Sequence, residues 1–243
     1  MDKTPYVDFA KNVLGVEYKD IDVLITALTH RSYLNEHRKS ASEHNERLEF
    51  LGDAVLELVV TDYLFSNFNE PEGVLTALRS ALVRTESIGT AGARLGYEPL
   101  LRMSRGEKRG SERARQQIVA DAFEAILGSI YLEKGFSEAK RIVDSQILPQ
   151  LKGILESGSW RDPKSHIQEV MQRVDSTTPS YRVLEEDGPD HDKTFVVGLF
   201  NGDELISQGT GSSKQAGQEA AARKALKIYQ AKEDEIDETD EKV

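Results

Sequence analysis

The segment NERLEFLGDAVL, residues 45–56, places acidic side chains inside an otherwise apolar helical pattern. At about 100° per residue, Glu49 and Asp53 share one narrow stripe with Glu46, and Glu57 continues it. Leucine and valine occupy most of the remaining surface of this helix. Because like charges four residues apart repel one another, the stripe is typical of a site that binds a cation.

The segment QIVADAFEAILGSIYL, residues 117–132, repeats this feature, because Asp121 and Glu124 are its only charged residues. A helix this apolar is buried on most sides, and unpaired carboxylates on it would be costly. The neutralising cation is either a basic side chain or a metal ion. Basic candidates are Arg47, Arg79, Arg84 and a run comprising Arg102, Arg105, Lys108, Arg109, Arg113 and Arg115.

If the cation is a metal, ligation by oxygen alone favours Mg²⁺ or Mn²⁺ over zinc or copper. A carboxylate-bound di-iron site usually requires Glu-x-x-His, and none of the 5 histidines has a glutamate three residues before it. The sequence contains no cysteine, which excludes a disulfide scaffold, thiolate zinc sites and a cysteine nucleophile. No organic cofactor is indicated, because no phosphate-binding loop is found.

The acidic segments belong to a region in which apolar residues recur with helical spacing and no strand-like alternation stands out. Residues 1–155 are therefore predicted to form an all-helical domain, followed by a linker at 156–162 that is rich in glycine and serine. The periodic segments are 5–14, 20–33, 45–68, 72–95, 116–133 and 136–155.

The pattern changes at Pro163, where a helix is followed by three strand candidates and an alanine-rich helix. Residues 163–231 are predicted to form a small α+β domain with the order helix–three strands–helix. Residues 232–243 are predicted to be a disordered acidic tail. Residues 233–243 hold seven acids and one lysine, and so contribute much of the net charge of −11.

The distribution of apolar residues bears on the cellular compartment of the protein. The first residues contain no apolar signal-peptide core, and no apolar stretch reaches the ~18 residues that a membrane span needs. We therefore expect a cytoplasmic protein with no membrane partner.

The acidic segments and the second domain together resemble a known family. NERLEFLGDAVL resembles the signature segment of ribonuclease III, the double-strand-specific endoribonuclease, and ADAFEAILGSIYLEKG resembles the second acidic motif of that family. THRSY at 29–33 and EG at 72–73 also match, and the C-terminal module resembles a double-stranded RNA-binding domain. The resemblance extends over residues 5 to 230, in the expected order.

The resemblance implies a metal-dependent endonuclease that cuts double-stranded RNA and leaves 5′-phosphate and 3′-hydroxyl ends, in ribosomal and messenger RNA processing. It also implies a homodimer, with Phe50 as a contact across the interface. Mg²⁺ is the implied cofactor, with Mn²⁺ as a substitute. The implied metal site consists of Glu49, Asp53, Asp121 and Glu124, of which Asp53 and Glu124 are the catalytic positions, and Glu46 and Glu72 are possible accessory residues.

In the second domain, the resemblance implies RNA contacts from Gln168, Glu169, His191, Ser213 and Lys214. The sequence departs from the family where the last helix begins. Three lysines are usual in that phosphate-binding patch, but Gln215 and Gln218 occupy two of the positions here, and Gly217 replaces a common alanine. Fewer phosphate contacts imply weaker binding and a weaker dependence on salt.

Three functional hypotheses follow. The leading one is the endonuclease; the alternatives are a regulatory protein that binds duplex RNA without cutting it, and a helical metal-storing or ion-paired scaffold. For the basic run, residues 102–115, an edge that follows RNA phosphates is favoured over a solvated segment paired with Glu107 and Glu112.

Overall fold

A computed structural model describes residues 2–37, 43–189 and 193–240, with side chains described as far as Tyr229. The chain divides into two compact units, Met1–Trp160 and Arg161–Val243. The first unit is helical and the second has the order helix–three strands–helix, which confirms the predicted fold class. Among the described residues, no helix is both long enough and apolar enough to cross a membrane.

The first unit contains nine α-helices within its described residues, connected by short turns. Short 3-10 turns lie at Glu98–Leu100, Glu107–Arg109 and Leu148–Gln150, and a π-helical turn at Ala10–Leu14 continues the first helix. The α-helices are α1 (Thr4–Phe9), α2 (Ile21–Ala27), α3 (Arg31–Glu36), α4 (Glu46–Asn67), α5 (Glu72–Leu82), α6 (Thr85–Leu95), α7 (Glu112–Lys134), α8 (Phe136–Gln146) and α9 (Leu151–Ser157).

Three of the periodic segments are each divided into two helices: 20–33 into α2 and α3, 72–95 into α5 and α6, and 136–155 into α8 and α9. The break within 72–95 lies between α5 and α6. Arg84 adopts an extended backbone conformation, with φ −71° and ψ 151°, immediately before α6 begins. No glycine or proline marks this position in the sequence, so the break has no local sequence signal.

Helices α4 and α7 cross at two glycines, and this crossing is the centre of the first unit. A Cβ atom added at Gly52 would lie 1.7 Å from the carbonyl oxygen of Glu124, and one added at Gly128 would lie 2.2 Å from the carbonyl oxygen of Leu48. The two backbones therefore touch, with no space for a side chain between them. The surrounding core includes Leu56, Val59, Val60, Phe123, Ile126 and Leu127.

Helix α7 is buried almost all round, as its sequence predicts. Between Ile118 and Ile130, Asp121 and Glu124 are the two residues that are not buried. The helix begins at Ser111, whose hydroxyl accepts a hydrogen bond from the Ala114 amide (3.2 Å), and ends at Gly135, which has φ +81°. The burial pattern leaves the two carboxylates as the half-exposed polar feature of this helix.

The second unit packs two helices on one face of an antiparallel sheet with strand order β1-β2-β3. Its elements are α10 (Pro163–Val174), β1 (Ser180–Asp187), β2 (Thr194–Asn201), β3 (Glu204–Gly211) and α11 (Lys214–Asp240). The helical backbone of α11 continues to Asp240, into the segment 232–243 that was predicted to be a disordered acidic tail. The core comprises Ile167, Val170, Met171, Leu199, Ala221, Ala222, Ala225 and Tyr229.

The glycine that departs from the family pattern lies where α11 packs closely on the sheet. A Cβ atom added at Gly217 would lie 2.7 Å from Cγ2 of Val197, so an alanine would require this contact to shift. Gly209 of β3 approaches the same helix, because its Cβ atom would lie 2.1 Å from the Ala221 amide nitrogen. The unusual residue is thus explained by helix–sheet packing.

Candidate functional site

The four acids at the predicted metal positions lie on α4 and α7, close to the point where these two helices cross. Gly52 lies between Glu49 and Asp53 in α4, and it touches the backbone of Glu124 in α7. Asp121 lies one helical turn before Glu124. Each of these acids influences the protonation of others in the group, so the fold brings together residues that are about 70 positions apart in the sequence.

Burial raises the pKa of Glu124, Glu49 and Asp121, and the neighbouring carboxylates raise it further for Glu124 and Glu49. Burial, and then the carboxylates of Asp53 and Glu49, raise the pKa of Glu124 to about 8. Burial is also the first cause for Glu49, whose pKa is raised to about 7, followed by the charge of Asp121. Burial raises the pKa of Asp121 as well, although the hydrogen bond from Gln117 opposes this. Without a cation, the site disfavours full ionisation.

These shifts determine how the site affects stability. Folding raises the pKa of Glu124 from its ordinary value of 4.5 to about 8, so the folded chain binds this proton more tightly than the unfolded chain. Stability from this group is therefore greatest at low pH and falls as the pH rises through that interval. A bound cation would stabilise the ionised carboxylate and so offset this loss of folding stability at high pH.

The basic side chains proposed as alternative partners are engaged elsewhere or face solvent. In the part of the chain that the structure describes, no ion pair includes Glu49, Asp53, Asp121 or Glu124. Arg79 donates to Thr61 Oγ1 at 3.2 Å, and Arg84 pairs with Glu86 at 3.5 Å. The ion-paired scaffold therefore has no support among the described contacts.

The donor set of the site fits a hard divalent ion in its chemistry. The four side chains offer carboxylate oxygens, and among the described residues no arginine or lysine forms an ion pair with them, although the charge of His30 partly opposes the burial that raises the pKa of Asp121. In the described ranges, no three histidine, aspartate or glutamate side chains already converge closely enough to hold an ion.

The two accessory acids lie in different environments. Glu46 begins α4 and faces Arg31, with 3.4 Å between Nη1 and Oε1. Glu72 is exposed in the first turn of α5, and among the described residues it makes no hydrogen bond or ion pair with the four acids. Glu46 therefore lies on the acidic stripe of α4, whereas Glu72 makes no described contact with Glu49, Asp53, Asp121 or Glu124.

Two features of the site escaped the sequence analysis. Gln117 donates its amide to Asp121 Oδ1 at 2.7 Å, which orients that carboxylate, and its spacing of four residues was the available signal. A cavity of about 690 Å³ also opens beside Asp121. Its polar lining includes His30, Arg31, Ser32, Asn35, His44 and Gln117.

The basic run, residues 102–115, divides into cations with protein partners and exposed cations. Arg102 lies 4.3 Å from the centre of the Tyr33 ring, and Arg115 pairs with Glu98. Among the described residues, no ion pair joins Glu107 or Glu112 to this run, and the charge of Glu112 acts on Arg115 less strongly than that of Glu98. Besides Arg115, the exposed members are Arg105, Lys108, Arg109 and Arg113.

In the second unit, the predicted RNA contacts lie on α10 and at the start of α11. Gln168 and Glu169 are exposed on α10. Ser213 accepts a hydrogen bond from the Ala216 amide at 3.1 Å and so caps α11, and Lys214 extends over the Phe195 ring at 5.8 Å. His191, in the connection between β1 and β2, lies outside the described residues.

Known proteins match both units. Residues 20–151 match the family model described as ribonuclease-III-like, and residues 163–229 match the double-stranded RNA binding motif. Ribonuclease 3 of Pelotomaculum thermopropionicum is 42% identical over 217 residues, which cover 89% of this chain and 90% of that protein. Ribonuclease 3 of Enterococcus faecalis is 39% identical over 221 residues, covering 89% and 94%.

A solved structure extends the similarity to the fold of the first unit. The nuclease domain of ribonuclease III from Campylobacter jejuni is 42% identical, with a TM-score of 0.53. The match covers 59% of this chain and 96% of that domain. That structure is described in terms of flexibility in a region involved in dimer formation.

A ribonuclease-III-like helical unit followed by a double-stranded RNA-binding module defines an endoribonuclease that acts on double-stranded RNA. The chain belongs to the ribonuclease III family.

Proposed function

We propose that this chain is a Mg²⁺-dependent endonuclease that hydrolyses phosphodiester bonds of duplex RNA to 5′-phosphate and 3′-hydroxyl ends. The observation that carries the proposal is the group of four carboxylates near the crossing of α4 and α7, of which Glu49, Asp121 and Glu124 are half-buried and Asp53 is exposed. Among the described residues, no arginine or lysine forms an ion pair with any of them. Precursors of ribosomal and messenger RNA in the cytoplasm are the proposed substrates. A chain without cysteine suits that reducing compartment.

The roles of the acids follow from their positions. Glu49, Asp53, Asp121 and Glu124 would hold the metal, with Mn²⁺ able to replace Mg²⁺, and Asp53 and Glu124 are the proposed catalytic positions. When bound, such an ion supplies Lewis-acid activation of an attacking water and neutralises charge that develops on the phosphate oxygens. Gln117 fixes the orientation of Asp121 through its 2.7 Å hydrogen bond.

The accessory acids have a weaker role in the proposal. Glu46 continues the stripe of α4 at its amino-terminal end, where its pairing with Arg31 is solvent-exposed and easily exchanged for substrate contacts. Glu72 would act only from the edge of the site. Neither residue is required to hold the metal.

The second unit would recognise the duplex by shape. A-form RNA presents a shallow minor groove lined with 2′-hydroxyls, and domains of this class span about 16 base pairs across two minor grooves and the intervening phosphates. Gln168 and Glu169 are exposed on α10, as minor-groove contacts must be. Ser213 and Lys214 lie at the amino-terminal end of α11, where backbone amides and positive charge favour phosphate. His191 is the proposed contact from the loop between β1 and β2.

The exposed cations of the basic run would follow the RNA phosphates in the first unit. Arg105, Lys108, Arg109 and Arg113 are exposed, and they precede or begin the helix that carries Asp121 and Glu124. Phosphate contacts of this kind supply affinity without sequence preference.

A homodimer is the proposed assembly, because large apolar side chains of α4 are exposed on one side of the helix. Phe50 and Phe65 are 81% and 78% exposed, and Leu58 is 57% exposed. These residues fall within about 80° on the helix, and contiguous apolar surface of this kind marks an interaction site. The full chain is expected to sediment at twice its 27.1 kDa mass.

Phe50→Glu is expected to shift the protein toward the monomer, since it places a charge in the apolar interface. Leu184→Glu alters an exposed apolar residue of the second unit and is the matched control. A wild-type protein that sediments at only 27.1 kDa would contradict the proposed dimer.

The proposed reaction is tested with internally labelled duplex RNA and its separated single strands. The wild-type chain is expected to cut the duplex in Mg²⁺ and in Mn²⁺, to spare the single strands, and to lose activity in EDTA. The product ends are read by adaptor ligation, which requires a 5′-phosphate. Binding without cutting in either metal would favour the regulatory alternative, and cutting in EDTA would exclude the metal-dependent mechanism.

A further inference from the structure

A lysine of α10 reaches across to the phosphate-binding end of α11. Lys164 Nζ donates a hydrogen bond to Gln218 Oε1 at 2.6 Å, and its ammonium lies 5.3 Å from the centre of the Tyr181 ring. Gln218 is one of the two positions where the sequence analysis finds glutamine in place of the usual lysine. A cation from another helix therefore occupies the neighbourhood of the missing charge.

The Lys164 ammonium has more hydrogen-bond donors than its described contact uses. Its described hydrogen-bond partner is a neutral amide, and an ammonium has three donors. Lys164 is half-buried as a residue. The charge of Lys164 acts on Asp162, whose pKa is lowered first by the hydrogen bond from the Ser165 amide and less strongly by Lys164. The Asp162 carboxylate also caps α10, because it accepts a hydrogen bond from the Ser165 amide.

Lys164 also lies between the two proposed RNA-contacting surfaces. It precedes Gln168 by four residues, so both side chains lie on the same side of α10, about one turn apart. Through Gln218 it is joined to α11 about one turn after Lys214, which belongs to the phosphate patch. The ammonium therefore stands at the junction of the minor-groove and phosphate surfaces.

Grooves in a duplex are separated by phosphodiester strands. If α10 lies along a minor groove and the start of α11 faces the phosphates of the adjoining major groove, a group between them meets the strand that divides the two. We propose that Lys164 is a phosphate-contacting residue that supplies, from α10, positive charge that α11 lacks at Gln215 and Gln218. This inference rests on the proposed binding of duplex RNA.

The test compares Lys164→Gln with Lys227→Gln in the full chain, by measuring affinity for duplex RNA in EDTA at 50 to 200 mM salt. Lys227 is exposed on α11, nine residues after Gln218 and hence on the opposite side of that helix, and its replacement makes the same charge change. Removing one phosphate contact should make the slope of log affinity against log salt shallower by about 0.9. At 50 mM salt, affinity should fall by about tenfold.

A glutamine at 164 can still hydrogen-bond to Gln218, so the link between the helices is retained and the charge is lost. Lys164→Arg should restore both the affinity and the slope. An unchanged slope in Lys164→Gln, or the same change in Lys227→Gln, would overturn the proposal. Weaker binding with an unchanged slope and a lower melting temperature would assign Lys164 a structural role instead. If the wild-type chain fails to bind duplex RNA, the proposed function itself fails.

Discussion

Replacing Glu124 with glutamine is expected to abolish cleavage of duplex RNA in Mg²⁺ while leaving duplex binding within about twofold. Glu124 lies at the centre of the crossing, where it is influenced by the charges of Asp53, Glu49 and Asp121. A catalytic metal supplies several kcal/mol of transition-state stabilisation. At 1.36 kcal/mol for each factor of ten, loss of that contribution lowers the rate by about 10³-fold or more.

Single-turnover cleavage with excess protein measures this effect, and a mobility-shift assay measures binding by the same variant. Glu57→Gln is the matched control, because Glu57 continues the α4 stripe and is exposed, and it is the last of the charges that raise the pKa of Glu124. The control should retain the wild-type rate to within a few-fold. Similar rates for both variants would show that the site has been assigned to the wrong acids.

Gly52→Ala is expected to lower the free energy of unfolding by more than about 4 kcal/mol, a size that marks severe core disruption. The added Cβ atom would lie 1.7 Å from the carbonyl oxygen of Glu124, which belongs to backbone and cannot rotate away. Helices α4 and α7 would have to move apart, and the acids that each helix carries would move with them. Urea denaturation followed by circular dichroism measures the loss.

Gly153→Ala is the matched control for this substitution. Gly153 lies in α9, and nothing lies within 4 Å of an added Cβ atom. Alanine is favoured over glycine in a helix by roughly 0.5–1 kcal/mol, so this variant should be as stable as the wild type or slightly more stable. A folded Gly52→Ala protein with wild-type stability would show that the two helices do not cross at this glycine.

The burial pattern around Asp121 and Glu124 could be predicted from the sequence because its signal is local. The spacing of Asp121 and Glu124 predicts that they share one side of a helix, and the apolar residues around them predict burial on the other sides. The structure has this pattern from Ile118 to Ile130. The helix–three strands–helix order of the second unit was also predictable, because turn residues separate short runs of strand formers.

The contacts that position the site could not be predicted in the same way. Nothing in the spacing of residues indicates that Gly52 and Gly128 allow two helix backbones to touch, because the contact joins distant segments. Lys164 and Gln218 are 54 positions apart, so their hydrogen bond is likewise a product of tertiary packing. Sequence periodicity specifies the faces of a helix, but it does not specify which neighbour each face meets.

The proposed metal site is tested most directly by thermal denaturation of the wild-type chain and Glu124→Gln near pH 8.5, in EDTA and in Mg²⁺. At this pH Glu124 is mostly ionised even in the folded state, where burial and the neighbouring carboxylates favour its protonated form, so without metal the wild type should melt below the variant. Mg²⁺ at 100 times its Kd should stabilise the wild type by about 2.7 kcal/mol and leave the stability of the variant largely unchanged. Equal stabilisation of both proteins by Mg²⁺ would contradict a metal site at these carboxylates.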